Sequence, residues 1–387
     1  MKIVIDNKIP FIRGVFEPFA DVVYLPGRET TAEVVKDADA LITRTRTICN
    51  EPLLKGSSVK VIATATIGYD HIDTAWCERN GIFWTNAPGC NSWSVKQYIA
   101  STLVTLAARY GLELDKMTLG VIGVGNVGSK VAEAAGILGM KAMRLIVKFA
   151  LPSQTNDPPR ARREGGDAFV GLDELLSQAD IITVHVPLEK EGPDATWHLF
   201  DAARIATLRP TQILINSSRG PVVDNQALKA ALLGGRLKAA VLDVWEGEPA
   251  IDTELMSMLA VATPHIAGYS ADGKANGTSM SVRAVARALG IKALEDWTAS
   301  GVPTPVQPLS FELDCTGKTT LQILSEAVLY TYRVEEDSDL LKADPSLFEK
   351  LRGDYRIRRE PTAFSIKLAN YSEEQKQKLA FMGFNVK

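Results

Sequence analysis

The sequence predicts an α/β protein with two doubly wound parallel-sheet units and a small C-terminal α+β module. Three observations carry that prediction. Short β-rich runs alternate with helical stretches, first over residues 1–100 and again after residue 118. A strand, a Gly123-x-Gly125-x-x-Gly128 turn and a helical pattern follow one another without a gap. A stiff proline-rich segment, Val302-Pro303-Thr304-Pro305-Val306-Gln307-Pro308, sets off what lies beyond it.

In chain order, Lys2-Ile3-Val4-Ile5-Asp6, Ala40-Leu41-Ile42-Thr43, residues 59–64 and residues 81–85 read as strands. Stretches such as 31–39 carry helical spacing between them, and alternation of this kind implies a parallel sheet covered on both faces. Residues 94–109 read as one long helix, apolar at Val95, Ile99, Leu103 and Leu106. The second unit opens at the glycine turn. Its strands fall at 120–124, in a stretch ending near Asp157, and at 181–186, 212–216 and 239–244, with helices at 172–178 and 225–233. A helix over 278–289 returns the chain to the first unit. Past the prolines, 320–332 and 373–381 read as helices and 363–368 as a strand. About 77 residues give a marginal core alone, so this module is expected to dock, most simply on its own copy in a homodimer.

Each glycine of the turn has a distinct role if a dinucleotide sits there. Gly123 permits the tight exit from the strand, Gly125 lets backbone approach a pyrophosphate, and Gly128 lets the helix lie close to the sheet. The amides of Asn126 and Val127 then open a helix whose N-terminus favours phosphate. This is the Rossmann arrangement, and the first unit is expected to be flavodoxin-like. The motif also calls for an acid about 20 residues on. The first candidate is Asp157, 157 − 128 = 29 positions beyond the last glycine, so the intervening segment is too long by about ten. A carboxylate at the ribose selects NAD over NADP, although Arg160, Arg162 and Arg163 follow closely enough to offset a 2′-phosphate.

Composition bounds the rest. The 387 residues are 46% hydrophobic and 23% charged, with a net charge of −3. That is ordinary globular composition with no general attraction to nucleic acid or to an anionic membrane. The first ten residues carry Asp6 and no apolar core of a signal segment, and the uncharged run 255–271 is broken by Pro264 and His265. Cys49, Cys77, Cys90 and Cys315 lie far apart without metal-type spacing. The expectation is a cytoplasmic protein with reduced thiols, no metal, no nucleic acid and no membrane.

Doubly wound folds bind ligands at the carboxyl ends of their strands, and the residues there carry chemistry. Arg219, in Ser217-Ser218-Arg219-Gly220, can hold a carboxylate by a two-pronged bond; alone it reads more readily as a surface arginine in a turn. Asp243 and Glu248 are ambiguous singly. His265, in Thr263-Pro264-His265-Ile266-Ala267-Gly268-Tyr269, is the best proton-transfer group of the four histidines. His71, His185 and His198 read as structural, His198 beside Trp197 and Leu199 in an apolar context. Together Arg219, Glu248 and His265 form a chemically coherent set, with an anchor for an acid, a base for its hydroxyl proton and a carboxylate partner for that base.

These motifs, with Asp157-Pro158-Pro159-Arg160, Leu242-Asp243-Val244-Trp245-Glu246-Gly247-Glu248-Pro249, Arg44-Thr45, Ala63-Thr64-Ala65-Thr66 and Ala87-Pro88-Gly89-Cys90-Asn91, make the chain resemble the D-isomer-specific 2-hydroxyacid dehydrogenases over residues 1–290. The resemblance implies NAD-dependent oxidation of a small phosphorylated 2-hydroxy acid. It implies catalysis by His265, Glu248 and Arg219. Cofactor contacts then fall on Gly123, Gly125, Asn126, Val127, Gly128, Asp157, Ser217, Ser218, Arg219, Asp243 and Gly268, and substrate contacts on Thr45, Thr66 and Tyr269. Residues 1–100 with 270–290 become a substrate-binding lid, 101–269 the NAD-binding unit and 301–387 a dimerisation module. Val186 departs from the threonine the family can carry near the cofactor. Arg44, Arg46, Thr45 and Thr66 follow strands of the first unit and are expected to meet the phosphate; otherwise Arg44-Thr45-Arg46-Thr47 is a solvated β-type run. Two competing readings are a dehydrogenase of 3-phosphoglycerate, whose usual appendages differ from this C-terminal module, and a dinucleotide-binding corepressor acting through protein contacts.

Overall fold

Five runs of aliphatic and β-branched residues build the first sheet: β1 Lys2–Asp6, β2 Asp21–Leu25, β3 Ala40–Thr43, β4 Val61–Thr64 and β5 Phe83–Thr85. Their order is β2-β1-β3-β4-β5, the flavodoxin-like arrangement. Side chains alternate across the sheet, so each strand feeds two cores. Ile3, Ile5, Ala40, Ile42, Val61 and Ala63 pack on one face with Val282, Val285 and Ala286 of the helix Ala271–Leu289. Val4, Leu41 and Ile62 pack on the other with Leu53, Leu54 and Cys77. Register follows the same alternation, with Ile3 opposite Ala40 and Ile5 opposite Ile42.

The computed structural model describes residues 1–145 and 169–387. Contacts divide them into two units, one of residues 1–94, 269–306 and 357–360, the other of residues 95–268, 307–356 and 361–387. The second unit has a six-stranded sheet: β6 Thr118–Ile122, β7 Lys141–Leu145, β8 Ile181–Val184, β9 Ile213–Asn216, β10 Ala239–Leu242 and β11 Val261–Ala262. Its order is β11-β10-β9-β8-β6-β7, so the strand sequence reverses between β6 and β8. That reversal opens the crevice in which such sheets take a ligand. β7 ends at Leu145, 145 − 128 = 17 residues past the last motif glycine, close to the spacing the motif expects. Asp157, with Arg160, Arg162 and Arg163, lies outside the described residues.

The C-terminal region adds β12 Ser310–Asp314, β13 Ser365–Ala369 and β14 Asn385–Val386, paired in parallel in that order. Its helices Thr320–Thr331 and Glu373–Met382 each begin with a capping box, Thr319 with Gln322 and Ser372 with Gln375. These reciprocal side-chain bonds satisfy two amides that a helix start leaves open. Within the chain, this region docks on the nucleotide-type sheet, a contact its sequence does not announce. Leu341 and Phe348 are buried in the same core as Ile182, Leu214 and Leu242. Lys342 donates to the Leu259 carbonyl at 2.6 Å, and the Ser338 hydroxyl accepts from Ala262 N–H at 3.1 Å. Among the described residues no helix is long and apolar enough to cross a membrane. All four cysteines are buried and free.

Candidate active site

The glycine turn follows β6 directly, and its geometry matches the roles read from its spacing. Gly123 has φ +89°, a left-handed conformation that side chains avoid, and a Cβ there would lie 2.5 Å from the His185 carbonyl. A Cβ on Gly128 would sit 1.9 Å from the Gly123 carbonyl, so the helix Asn126–Ile137 runs as close to the strand as bare backbone allows. At Gly125 a Cβ would meet nothing within 4 Å. The turn is thus packed on its inner side and open where a pyrophosphate would approach, with the amides of Asn126 and Val127 at the helix start. Val186 is buried against Gly123 and offers no hydroxyl.

After β9, the Asn216 side chain organises the next turn. Its carbonyl oxygen accepts from Ser218 N–H at 3.1 Å and from the Ser218 hydroxyl at 2.9 Å, and its amide donates to the Arg219 carbonyl at 2.9 Å. This is an Asx turn, and it presents Ser217, Ser218 and Arg219 in fixed order at the strand end. The Ser217 hydroxyl is buried with no hydrogen-bond partner in the protein, a condition that calls for a ligand. An open glycine cradle after β6 and an orphaned hydroxyl after β9, two strand ends of one sheet, fit a dinucleotide. Sequence reasoning assigned Asn216 no role of its own; an Asn followed by Ser-Ser is the local signal that could have found it.

Beyond β10 lie His265 and Glu248, read from the sequence as a base and its carboxylate partner. His265 Nδ1 and Glu248 Oε2 are 2.8 Å apart, and Glu248 Oε1 accepts from Trp245 N–H at 2.9 Å. The side chains are 28% and 19% exposed, so a substrate can reach the ring. His265 has φ +58°, a strained setting for a non-glycine residue and one that clusters at working sites. The loop around it is held from below by Asp243. That buried carboxylate accepts from the Thr263 hydroxyl at 2.6 Å, Ile266 N–H at 2.7 Å and Ala267 N–H at 2.9 Å. Thr263 is itself bonded to Tyr98 at 2.8 Å. Asp243, read from the sequence as a cofactor ligand, therefore has three protein donors already. Burial pushes its carboxyl up, against the charge of His265 and those three donors.

Burial also acts to raise the Glu248 carboxyl, but the His265 hydrogen bond and charge, Trp245 N–H and Arg352 outweigh it and hold the group below the usual range. Arg352, from the helix Phe348–Gly353, stands 3.9 Å from the oxygen that pairs with His265. Sequence reasoning missed it, since no local signal ties residue 352 to residue 248. Loop 245–248 is further braced by His198, whose Nε2 lies 2.7 Å from Glu246 Oε1. His198 is half-exposed, stacked on Trp197 and facing carboxylates; the apolar setting expected for it is wrong. Of the other two histidines, His71 is buried and His185 half-buried. Burial pulls His185 down to about 3, and burial, opposed by Asp70, pulls His71 down to about 4.

In the first unit, Arg44 to Arg46 follow β3 at its carboxyl end. Arg44 Nη1 donates to the Lys8 carbonyl at 3.4 Å, and Thr45 is exposed. The Thr66 hydroxyl is bonded to Thr64 at 2.9 Å and donates to the Gly68 carbonyl at 2.9 Å. Tyr269 lies under Lys274, whose Nζ is 4.9 Å from the ring centroid. Gly268 ends the His265 loop.

Residues 93–267 match the D-isomer specific 2-hydroxyacid dehydrogenase, NAD binding domain. A protein of Bacteroides fragilis named erythronate-4-phosphate dehydrogenase is 50% identical over 95% of this chain and 99% of its own length. A protein of the same name from Porphyromonas gingivalis is 40% identical over 95% of both chains. Among solved structures, a D-lactate dehydrogenase of Aquifex aeolicus, complexed with NAD and lactic acid, superposes with TM-score 0.63. It is 26% identical and covers 79% of this chain and 100% of that one.

Proposed function

Since the chain belongs to the D-isomer specific 2-hydroxyacid dehydrogenases, we propose that it oxidises 4-phospho-D-erythronate at its 2-hydroxyl to 2-oxo-3-hydroxy-4-phosphobutanoate, a step toward pyridoxal 5′-phosphate. The cofactor is NAD. The single observation that carries the reaction type is the 2.8 Å pair of His265 and Glu248 at a strand end of a dinucleotide sheet. The substrate follows from 40–50% identity to named erythronate-4-phosphate dehydrogenases along nearly the whole chain.

In this reading the free ring nitrogen of His265 takes the hydroxyl proton as the C2–H bond breaks. Glu248 holds the ring by its other nitrogen and favours the imidazolium that forms. Arg219 holds the substrate carboxylate in line, a role suited to a planar two-pronged donor. NAD, when bound, accepts the hydride. Gly123, Gly125, Asn126, Val127 and Gly128 hold its pyrophosphate; Ser217 and Ser218 bond it from the next turn, with Asp157, Asp243 and Gly268 as the further contacts of this reading. Thr45, Thr66 and Tyr269 take the substrate. The C-terminal module carries exposed Leu340 and Phe381, apolar surface that supports a homodimer through this module; light scattering on the purified chain tests it.

The function is tested with a panel of 4-phosphoerythronate, 3-phosphoglycerate and unphosphorylated 2-hydroxy acids, following NADH formation. Preference for 4-phosphoerythronate in kcat/KM is expected. Equal or better turnover of 3-phosphoglycerate would overturn the reading.

A further inference from the structure

Three strand-end loops of the second unit meet at one histidine that has no role in the reaction above. We propose that His198 is a positioning residue for the proton-transfer pair: it ties the loops after β8, β9 and β10 together and so fixes Glu248 against His265. The proposal rests on the roles given to Glu248 and His265 above.

His198 closes the loop that follows β8, with backbone φ +47°. Among the described residues, only Phe11, His198, His265 and Asn370 combine a side chain with a left-handed φ, and strain of this kind clusters at working sites. The main chain here bonds the loop after β9. His198 N–H donates to the Pro221 carbonyl at 2.7 Å, Phe200 N–H to the Val222 carbonyl at 3.0 Å and Asp224 N–H to the Phe200 carbonyl at 3.0 Å. The ring reaches the loop after β10, where Nε2 lies 2.7 Å from Glu246 Oε1. Glu246 as a carboxylate accepts, so Nε2 carries the hydrogen. The other Glu246 oxygen accepts from Asn225 N–H at 2.8 Å, and Asn225 Oδ1 accepts from Glu246 N–H at 3.2 Å. Asn225 is buried and opens the helix Asn225–Leu233, so this end of the knot is anchored. Trp197, stacked on the imidazole with centroids 5.1 Å apart, restrains rotation of the ring.

Spacing along the chain gives the knot its consequence. Pro221 is two residues past Arg219, and Glu246 is two residues before Glu248. One histidine thus bonds beside the residue read as the acid's anchor and beside the partner of the base. The two loops also touch directly, since a Cβ on Gly220 would lie 2.0 Å from the Trp245 carbonyl oxygen. Trp245 N–H bonds Glu248 Oε1 at 2.9 Å, which leaves Oε2 to His265 Nδ1 at 2.8 Å. Displacing Glu246 therefore displaces the peptide that aims Glu248. A misplacement of about 1 Å can cost about 10²-fold in rate. Helix capping alone does not account for the arrangement, because Asp224 already accepts from Gln226 N–H and Ala227 N–H at the start of that helix. The charges facing the ring are Glu246 and, 3.9 Å from Nδ1, Asp224.

The test uses the full chain with NAD and 4-phosphoerythronate. His198→Ala keeps the main-chain bond to Pro221 and cuts only the bond of the ring to Glu246. We expect kcat to fall by about 10- to 100-fold, with KM, NAD affinity and the melting temperature near wild type. His198→Gln, whose amide N–H can reach Glu246, should recover most of the loss. In a Glu246→Ala background, His198→Ala should cost nothing further, because the link is already cut. An unchanged kcat, or a full second loss in that background, would overturn the proposal. Should His198→Ala not fold, His198→Asn replaces it: asparagine accepts left-handed backbone, and its amide stops short of Glu246. If wild type does not oxidise 4-phosphoerythronate, the substrate reading falls by itself, and NMR titration of the His265 ring decides the positioning role. Loss of an aimed carboxylate should move that titration to lower pH in His198→Ala. Removing imidazole charge near Glu246, with Glu248 still in place, would move it up or not at all. A shift to lower pH supports the role, and any other result ends it.

Discussion

At the residue scale, His265 and Glu248 form one hydrogen-bonded pair, 2.8 Å apart. Replacing His265 with Ala is expected to lower turnover by about 10² to 10⁴, the usual contribution of a positioned acid–base group. NAD affinity, measured by fluorescence titration, should hold within about threefold, because the cradle is built from other strand ends; near-normal turnover would remove His265 from its role. Two further substitutions should move the pH profile in opposite directions. Glu248→Gln removes the negative charge that favours the imidazolium, so the acidic limb of kcat/KM should shift to lower pH. Arg352→Gln removes a positive charge 3.9 Å from Glu248, so the limb should shift to higher pH, with Arg352→Lys restoring it. The remaining charge facing the ring, Asp243, is unchanged in both. Shifts of the same sign would show that Arg352 does not act through the pair.

At the scale of elements, two turns and one helix start carry the site. Asn216→Ala would leave Ser218 N–H, its hydroxyl and the Arg219 carbonyl without their shared partner in a buried turn. A cost of about 1–3 kcal/mol in urea unfolding is expected, with weaker NAD binding besides. Unchanged affinity would mean that the Ser217–Arg219 turn holds its shape without help. The helix start at Ala271 has its own pH signature. Glu360 has its carboxyl raised from 4.5 to about 7. A carboxyl raised in the folded state stabilises below its ordinary value, and that contribution is lost as pH rises from 4.5 towards 7. The melting temperature of Glu360→Gln should therefore depend less on pH across that window than wild type does. A parallel curve would show that Glu360 titrates normally.

At the scale of the whole molecule, the C-terminal region is part of the core and not an appendage. Leu341 and Phe348 are buried with the strands of the second unit, and Lys96, 1% exposed, donates to the Phe381 carbonyl at 2.9 Å. A chain ending at Val306 would expose those strands and lose Arg352 and Arg358 together. We expect it to be insoluble or to melt without cooperativity; a soluble, cooperatively folding fragment would contradict the shared core. Added NAD should stabilise the intact chain by about 2.7 kcal/mol at a hundred times its Kd. That gain, read from melting curves, should vanish in Gly128→Ala, whose new Cβ would collide with the Gly123 carbonyl.

The sequence by itself determined the strands, the glycine turn and the order of the strand-end motifs, because each is written in a short span. Lys2–Asp6 and Ala40–Thr43 are short apolar runs that the sheet buries almost throughout, and Gly123 and Gly128 answer to backbone clashes that a local motif encodes. Four strands escaped it. Val261–Ala262 and Asn385–Val386 are too short to show a period, and Asp21–Leu25 and Ser310–Asp314 are edge strands with partly exposed patterns. Only the tertiary structure decided which distant charges share an environment. It set Arg352 beside Glu248, Arg358 beside Ser94 and the C-terminal helices on the nucleotide sheet, contacts that join stretches far apart along the chain. A side chain's type is local, but its dielectric surroundings and its charged neighbours are not. Those come from how loops close and cores pack, and they settle whether a glutamate is a solvated surface charge or, like Glu248, stands between a histidine and a distant arginine.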